Sequence, residues 1–335
     1  MTFPANLPRD ATLDDIGEFG LIRALQPLFA QGEHVVVGPG DDAAVLRVRT
    51  GHVVVSTDLL VEGRHFRRDW LAASDVGHRA AAANLSDINA MGGRAHSLTI
   101  GLAAPGDLPV EWALDFASGF ADELDLVGAN VVGGDLTRAD QIVIAVTVIG
   151  SVAQAPVLRS GAQPGNVVAL CGRQGWAAGG LAILSRGFRS PRVLVEALKR
   201  PEPPYDAGQQ AAIAGATAML DVSDGLLADA AHIAHASGVL IDIDSSAFEI
   251  PESLQAVGSA LGVDPMQFIL GGGDDHPLLA TFPHANSVPP GWLVIGSVGE
   301  PAPTAGGGGQ SGTGSVSLVT VNGTSYDGPT GWTHF

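Results

Sequence analysis

VVVSTDLLVEGRHF, residues 53–66, is the stretch on which the fold class turns. Its β-branched run predicts a strand over 52–57, closing on the hydroxyls of Ser56 and Thr57 and the carboxylate of Asp58. Upstream, residues 12–30 predict a helix, with Thr12 and Asp14 as caps. Apolar runs at 34–37 and 43–48 predict strands around a Gly-Pro-Gly turn that carries Asp41 and Asp42. Downstream, the Ala-rich segment 74–91 predicts a helix capped by Ser74, and 96–105 a strand running into a Pro-Gly turn. An amphipathic helix over 109–128, ended by Gly128, precedes strands at 129–136 and 141–152.

The turn-rich connector 154–166 marks a domain boundary, dividing the chain into 1–153 and 154–335. Beyond it come a strand at 167–171, a Gly-rich loop at 172–180, a helix at 178–186 and a Pro-rich elbow at 199–208. A helix at 208–218, the strand and turn AMLDVSDGL, a helix at 225–237 and a strand at 238–243 follow. Residues 301–315 are low-complexity and read as a flexible loop. Strands sit beside strands as often as beside helices, so the pattern predicts α+β rather than a doubly wound parallel sheet.

The bulk numbers narrow the function classes. At 335 residues, 46% hydrophobic and 16% charged, the chain can bury sizeable cores. Its net charge of -18 gives no electrostatic reason to bind nucleic acid or an anionic membrane. The longest apolar run, around 142–152, is too short to span a bilayer, and the first residues do not read as a signal peptide. The single Cys171 excludes an intramolecular disulfide, and a cytoplasmic setting is expected. Lys199 is the only lysine, and no Gly-rich loop ends in Lys-Ser/Thr, so phosphate chemistry here cannot use a P-loop.

Carboxylates recur near predicted strand ends, most of them close to Gly or Ser: Asp41–Asp42, Asp58, Asp135, Asp221 and Asp224, Asp274–Asp275. A single such Asp is ordinarily a turn or cap residue. Asp87 resists that reading, because it falls mid-helix among Ala, Leu, Ile and Met, where an unpaired carboxylate is costly. Converging carboxylates with no lysine nearby call for cations, and an all-oxygen donor set suits Mg²⁺ shared with phosphate. The loop in LCGRQGWAAGGLAIL could offer backbone N–H groups to a phosphate, and Arg159 a guanidinium fork.

Seven segments occur in order: GPGDDAAVL, STDLLVEGRHF, NLSDINAMGG, VVGGDLTR, LRSGAQPGNVVALCGRQGWAAGGLAIL, LDVSDGLLAD and LGGGDDH. Together with the final GWTHF they resemble the thiamine-monophosphate kinases of the aminoimidazole ribonucleotide synthetase-like superfamily. The resemblance implies two α/β domains, the N-terminal one forming a dimer-interface sheet or barrel, the C-terminal one completing the nucleotide and substrate site. It implies ATP-dependent phosphorylation of thiamine monophosphate to thiamine diphosphate in a homodimer, with several Mg²⁺ ions and no covalent nucleophile. Carried over by position, Asp42, Ser56, Thr57, Asp58, Asp87, Asp135, Asp221 and Asp224 match metal-binding positions. Gly134, Asp135, Arg159 and Ser223 match nucleotide contacts, and His65, Asp274 and Trp332 match substrate contacts. The chain departs from the family's Gly-Gly-Glu-Asp-Tyr-Glu at Asp274, His276 and Pro277, and Asp41 has no family counterpart role. The alternatives are another ATP-using member, such as a selenophosphate or aminoimidazole ribonucleotide synthetase, or a non-catalytic nucleotide-binding member. Against the selenophosphate reading, residues 1–50 contain neither Cys nor Lys.

Overall fold

The structure is a computed structural model, and it describes residues 11–29, 31–33, 35–37, 45–46, 52–300 and 318–332. Asp41, Asp42 and the loop 301–315 lie outside the described residues. The chain divides into two compact units. One comprises 1–89, 93–155 and 199–201; the other comprises 90–92, 156–198 and 202–335.

In the first unit the elements run α1 (Leu13–Leu25), β1 (Val35–Val37), β2 (Val45–Leu46), β3 (His52–Val61), α2 (Ala73–Ala90), β4 (Arg94–Ala104), α3 (Val110–Asp125), β5 (Asn130–Arg138) and β6 (Val143–Val152). The strands β1 and β2 pair with each other, and the other four form a sheet in the order β3-β6-β4-β5. All pairings in that sheet are antiparallel except β4 with β5. Burial alternates along β6, where Ile144, Val146 and Val148 are wholly buried while their neighbours are only partly covered. That period of two gives the sheet a covered face and an open one. On the open face Val53, Val55 and Leu59 are 48%, 61% and 56% exposed. The helices α2 and α3 approach through glycine: a Cβ at Gly77 would run into the Phe116 carbonyl, and one at Gly119 into the Ser74 carbonyl.

Several boundaries differ from the sequence reading. The strand expected to stop at 57 continues to Val61, paired residue for residue with β6, so Asp58 lies inside a strand and not at its end. Asp135 likewise lies within β5, which runs on to Arg138. The ladder decides both: each residue gains a cross-strand partner, which outweighs the weak strand propensity of Asp. The first helix stops at Leu25 and tightens into a 3₁₀ turn at Gln26–Leu28, where Pro27 has no N–H to continue the α-helix. The helix expected over 208–218 is confined to Ala207–Ile213, and residue 218 already opens a strand.

In the second unit the elements are β7 (Val167–Cys171), α4 (Trp176–Leu184), α5 (Arg192–Lys199), α6 (Ala207–Ile213), β8 (Ala218–Asp221), α7 (Leu226–Ser237), β9 (Leu240–Ile243), α8 (Glu252–Leu261), α9 (Met266–Gly271), β10 (Leu278–Phe282), β11 (Leu293–Gly299) and β12 (Val319–Val321). Six strands form a sheet in the order β12-β9-β11-β7-β10-β8, parallel only between β12 and β9. Unlike the first sheet, it is buried on both sides. Val168, Leu170, Leu220 and Leu279 pack with Leu226, Ala230 and Ile233 of α7. The alternate residues Ala169, Met219, Leu278 and Ala280 pack with Ala207 and Ala211 of α6. The mixed, largely antiparallel sheets are those of an α+β chain.

Candidate active site

On the covered face of the first sheet, Ser56, Asp58 and Leu60 alternate with residues of the open face. Ser56 Oγ donates to Asp87 Oδ2 at 2.5 Å, tying β3 to the middle of α2. The carboxylate that looked costly in a helix of small apolar residues therefore has a strand hydroxyl as partner and is only half-buried. Asp58, also half-buried, is two residues along the same face of β3. Three oxygen donors thus come together from one strand and one helix.

Thr57 and Asp135 belong to the other face. Thr57 Oγ1 meets Thr147 Oγ1 at 2.8 Å across the β3–β6 ladder. The register aligns Asp135 with Gly101, Gly101 with Ala145, and Ala145 with Leu59, and paired residues point the same way. Asp135 therefore shares the open face with Leu59, at the opposite edge of the sheet from β3. The Thr57 hydroxyl and Asp135 are not brought together with Ser56, Asp58 and Asp87 within this sheet. Gly134 has a structural reason of its own, since a Cβ there would run into the Ile100 carbonyl. His65 sits in the tight turn after β3, where its Nδ1 accepts from the Val61 amide at 3.0 Å. An amide can only donate, so the proton of the neutral ring is on Nε2.

In the second unit, Asp221 ends β8 and the turn Ser223-Asp224-Gly225 leads into α7. A residue that sequence reasoning passed over organises this turn. Asp229, buried in the first turn of α7, accepts the backbone N–H groups of Ser223, Asp224 and Gly225 on one oxygen, each at 3.0 Å. Burial pushes its pKa up to about 7. The Gly225 amide opposes that rise, the charges of Asp221 and Asp224 add to it, and the Asp224 amide opposes it. Its only signal in the sequence is the last letter of LDVSDGLLAD, where the spacing returns a carboxylate to the start of the helix. Oxygens of Asp224 and Asp229 and a nitrogen of His232 lie within 4.8 Å of one another. Asp229 is already engaged with three amides, which makes it a support for the turn and not a free ligand.

The loop 272–277 and the C-terminal segment close on the same turn. The Asp274 amide donates to the Ser223 carbonyl at 2.9 Å, and the Trp332 amide to the Asp224 carbonyl at 2.9 Å. Ser223, Asp224, Asp274 and Trp332 are thereby brought together, with the Trp332 side chain half exposed. His276 is buried, and its Nδ1 meets Asp221 Oδ2 at 3.0 Å. Asp274 and His276 both adopt left-handed backbone, at φ 67 and 53. Arg159 is exposed on the segment leading to β7, and its carbonyl accepts from Ser237 Oγ.

In the Gly-rich loop before α4, which the sequence reading offered as a phosphate cradle, the structure shows an amide already engaged. Asp275, 3% exposed, accepts the Ala177 amide at 2.9 Å, so the first amides of α4 already hold an oxygen. Burial pushes the Asp275 carboxyl up to about 7, against the pull of the Ala177 amide and the Arg173 guanidinium. The glycines serve packing: a Cβ on Gly175 would press on the Phe268 carbonyl at 2.7 Å. Gln174 fastens the loop by donating to the carbonyls of Ile269 and Gly272, each at 2.7 Å.

The donors on Ser56, Asp58, Asp87, Asp221 and Asp224 are all oxygens, which fits Mg²⁺ and leaves out thiolate-preferring metals. Among the described residues no helix is long and apolar enough to cross a membrane. Comparison with known proteins adds to this geometry. Residues 40–152 match the family model for the AIR synthase related protein, N-terminal domain, and 163–274 that for its C-terminal domain. The chain is 43% identical over 326 residues to the thiamine-monophosphate kinase of Mycobacterium tuberculosis, covering 97% of this chain and 93% of that one. It is 40% identical over 308 residues to the Corynebacterium glutamicum protein of the same name, covering 89% and 91%. The solved structure of AaThiL complexed with AMPPCP and TMP superposes with a TM-score of 0.76 at 32% identity, covering 97% of this chain and 99% of that one.

Proposed function

The chain belongs to the AIR synthase related proteins and, among them, to the thiamine-monophosphate kinases, and from that membership we propose that it transfers the γ-phosphoryl group of ATP to thiamine monophosphate, giving thiamine diphosphate and ADP. The observation that carries the reading is the all-oxygen face of Ser56, Asp58 and Asp87 in a chain of this family. In the proposed step a terminal phosphate oxygen of thiamine monophosphate attacks the γ-phosphorus in line, and the bond to the β,γ-bridging oxygen breaks. That oxygen is already ionised, so no enzyme nucleophile and no strong general base are needed.

Ser56, Asp58 and Asp87 in the first unit would hold Mg²⁺, and so would Asp221 and Asp224 in the second; Asp42 and Asp135 are the remaining proposed ligands. Mg²⁺, when bound, offsets the charge of phosphate oxygens that would otherwise repel one another. The chain's own part is to fix its donors. Ser56 orients Asp87, His276 orients Asp221, and Asp229 holds the Ser223–Gly225 turn. Gly134, Ser223 and Arg159 are the proposed nucleotide contacts. His65 and Asp274 would meet the substrate, and the half-exposed Trp332 offers a face to its cationic ring. Thr57 is a proposed ligand whose hydroxyl meets Thr147 and keeps a lone pair to offer.

A homodimer formed over the open face of the first sheet is part of the proposal. Exposed Val53, Val55 and Leu59 form an apolar patch of the kind that marks an interface, and Asp135 on that face would lie at the boundary between copies. The test is an assay of the purified protein with ATP, Mg²⁺ and thiamine monophosphate, detecting thiamine diphosphate directly. Formation from the monophosphate, but not from free thiamine or aminoimidazole precursors, supports the proposal. ATP consumption only with another acceptor would move the function to a sister family. Tight ATP binding without turnover would mark a non-catalytic member.

A further inference from the structure

A buried amide next to the proposed cation face has an oxygen with no hydrogen-bond partner. Asn84 is wholly buried in α2. Its Nδ2 donates to the Ala80 carbonyl at 2.9 Å. A carbonyl can only accept, so this contact assigns the amide orientation and leaves Oδ1 as the remaining atom. Oδ1 is buried and has no hydrogen-bond partner. A buried acceptor with no donor is disfavoured unless something else binds it.

The place of Asn84 on the helix says what that is. At about 100° per residue, position 84 falls on the helix surface between 87 and 88, one turn nearer the N-terminus. Asp87 reaches Ser56 on β3, and Ile88 Cγ2 lies against Gly150 on β6, so this surface faces the sheet between those two strands. The helix runs back along β3: Ile88 stands at the level of the Val54–Gly150 pair, and Asp87 at that of Ser56–Val148. One further turn, about 5.4 Å, is close to the step of about 6.7 Å between alternate strand residues, which brings Asn84 towards Asp58.

Resting on the reading of this face as a cation site, we propose that Asn84 Oδ1 is a further oxygen ligand of the cation held by Ser56, Asp58 and Asp87, directly or through one of the ion's waters. Asn84 adds a neutral oxygen with a fixed direction, since the Ala80 contact locks its rotamer. Divalent hard cations take such amide oxygens alongside carboxylates.

The test is Mn²⁺ binding to the full-length protein, followed by the electron paramagnetic resonance of free Mn²⁺, with thermal melting in EDTA as a second readout. Asn84→Leu, which keeps the branched shape without a polar atom, should weaken Mn²⁺ binding about tenfold. Its melting temperature in EDTA reads how far the bulkier side chain disturbs the fold apart from the metal. Asn84→Asp should tighten Mn²⁺ binding by adding charge. Unchanged affinity in Asn84→Leu would overturn the inference and assign Oδ1 to a structural water. Should Asn84→Leu fail to fold, Asn84→Asp decides, and unchanged or weaker binding there overturns it. Asp58→Asn run in parallel separates the two levels. Loss of affinity in Asp58→Asn without loss in Asn84→Leu defeats the Asn84 inference alone; no loss in either defeats the cation reading of this face as well.

Discussion

Carboxylates of one residue type do three different jobs in this chain, and their partners distinguish them. Asp87 keeps an oxygen at a half-buried surface with Ser56 beside it. Replacing it by Asn keeps shape and the Ser56 contact but removes charge, so kcat should fall by at least about a hundredfold with an unchanged melting temperature in EDTA. Near wild-type kcat would refute the metal role. Asp229 is bound to three amides, and Asp229→Ala strands them in a turn that is buried only at Gly225; denaturant unfolding should show a loss of about 2 kcal/mol. Asp275 caps α4 from a buried position with its pKa raised to about 7. Between pH about 4 and that value the folded chain retains a proton that the unfolded chain has released, so stability falls as pH rises through this window. In EDTA, Asp275→Asn should flatten that slope, and an identical slope in both proteins would show that Asp275 titrates normally. The sequence displayed all these carboxylates. It could not rank them, because their partners are 31, 98 and 4–6 residues away and only the folded chain assembles them.

At the level of elements, the two sheets meet water differently. The six-stranded sheet is covered on both faces, and its strands read as continuous apolar runs such as VVALC and LLATF. The four-stranded sheet is covered on one face only, and its alternation places Asp58 and Asp135 on opposite sides. That difference was not legible beforehand, since the β4–β5 register shifts at a bulge between Leu98 and Thr99. One slipped residue reverses the face of everything after it. The contact between α2 and α3 depends on Gly77 and Gly119 meeting opposing backbone. Gly77→Ala or Gly119→Ala should cost about 1–3 kcal/mol by urea unfolding, because backbone on the far side cannot give way as a side chain would. No loss in either variant would mean the helices can separate freely.

For the whole molecule, the open apolar face and the strong negative charge act at different ranges. A net charge of -18 repels copies at a distance, whereas apolar contact acts only once they touch. The proposed dimer should therefore tighten with salt, and Leu59→Asp should convert it to monomer in sedimentation while leaving the melting curve of the subunit intact. A wild-type chain that sediments as a monomer at all salt concentrations would remove the dimer from the proposal. The order of short motifs along the chain was enough, with no structure, to determine the family. The missing P-loop and the oxygen-only donors likewise determined what kind of phosphate chemistry was open to it, because those are properties of residue type and order. The tertiary structure alone decided which carboxylates face the covered side of the sheet and which are spent on capping a helix or holding a turn. It also showed that the Gly-rich loop packs on Phe268 and gives an α4 amide to Asp275. Those outcomes depend on register, burial and donors contributed by distant segments, and none of these is a property of a residue and its neighbours in sequence.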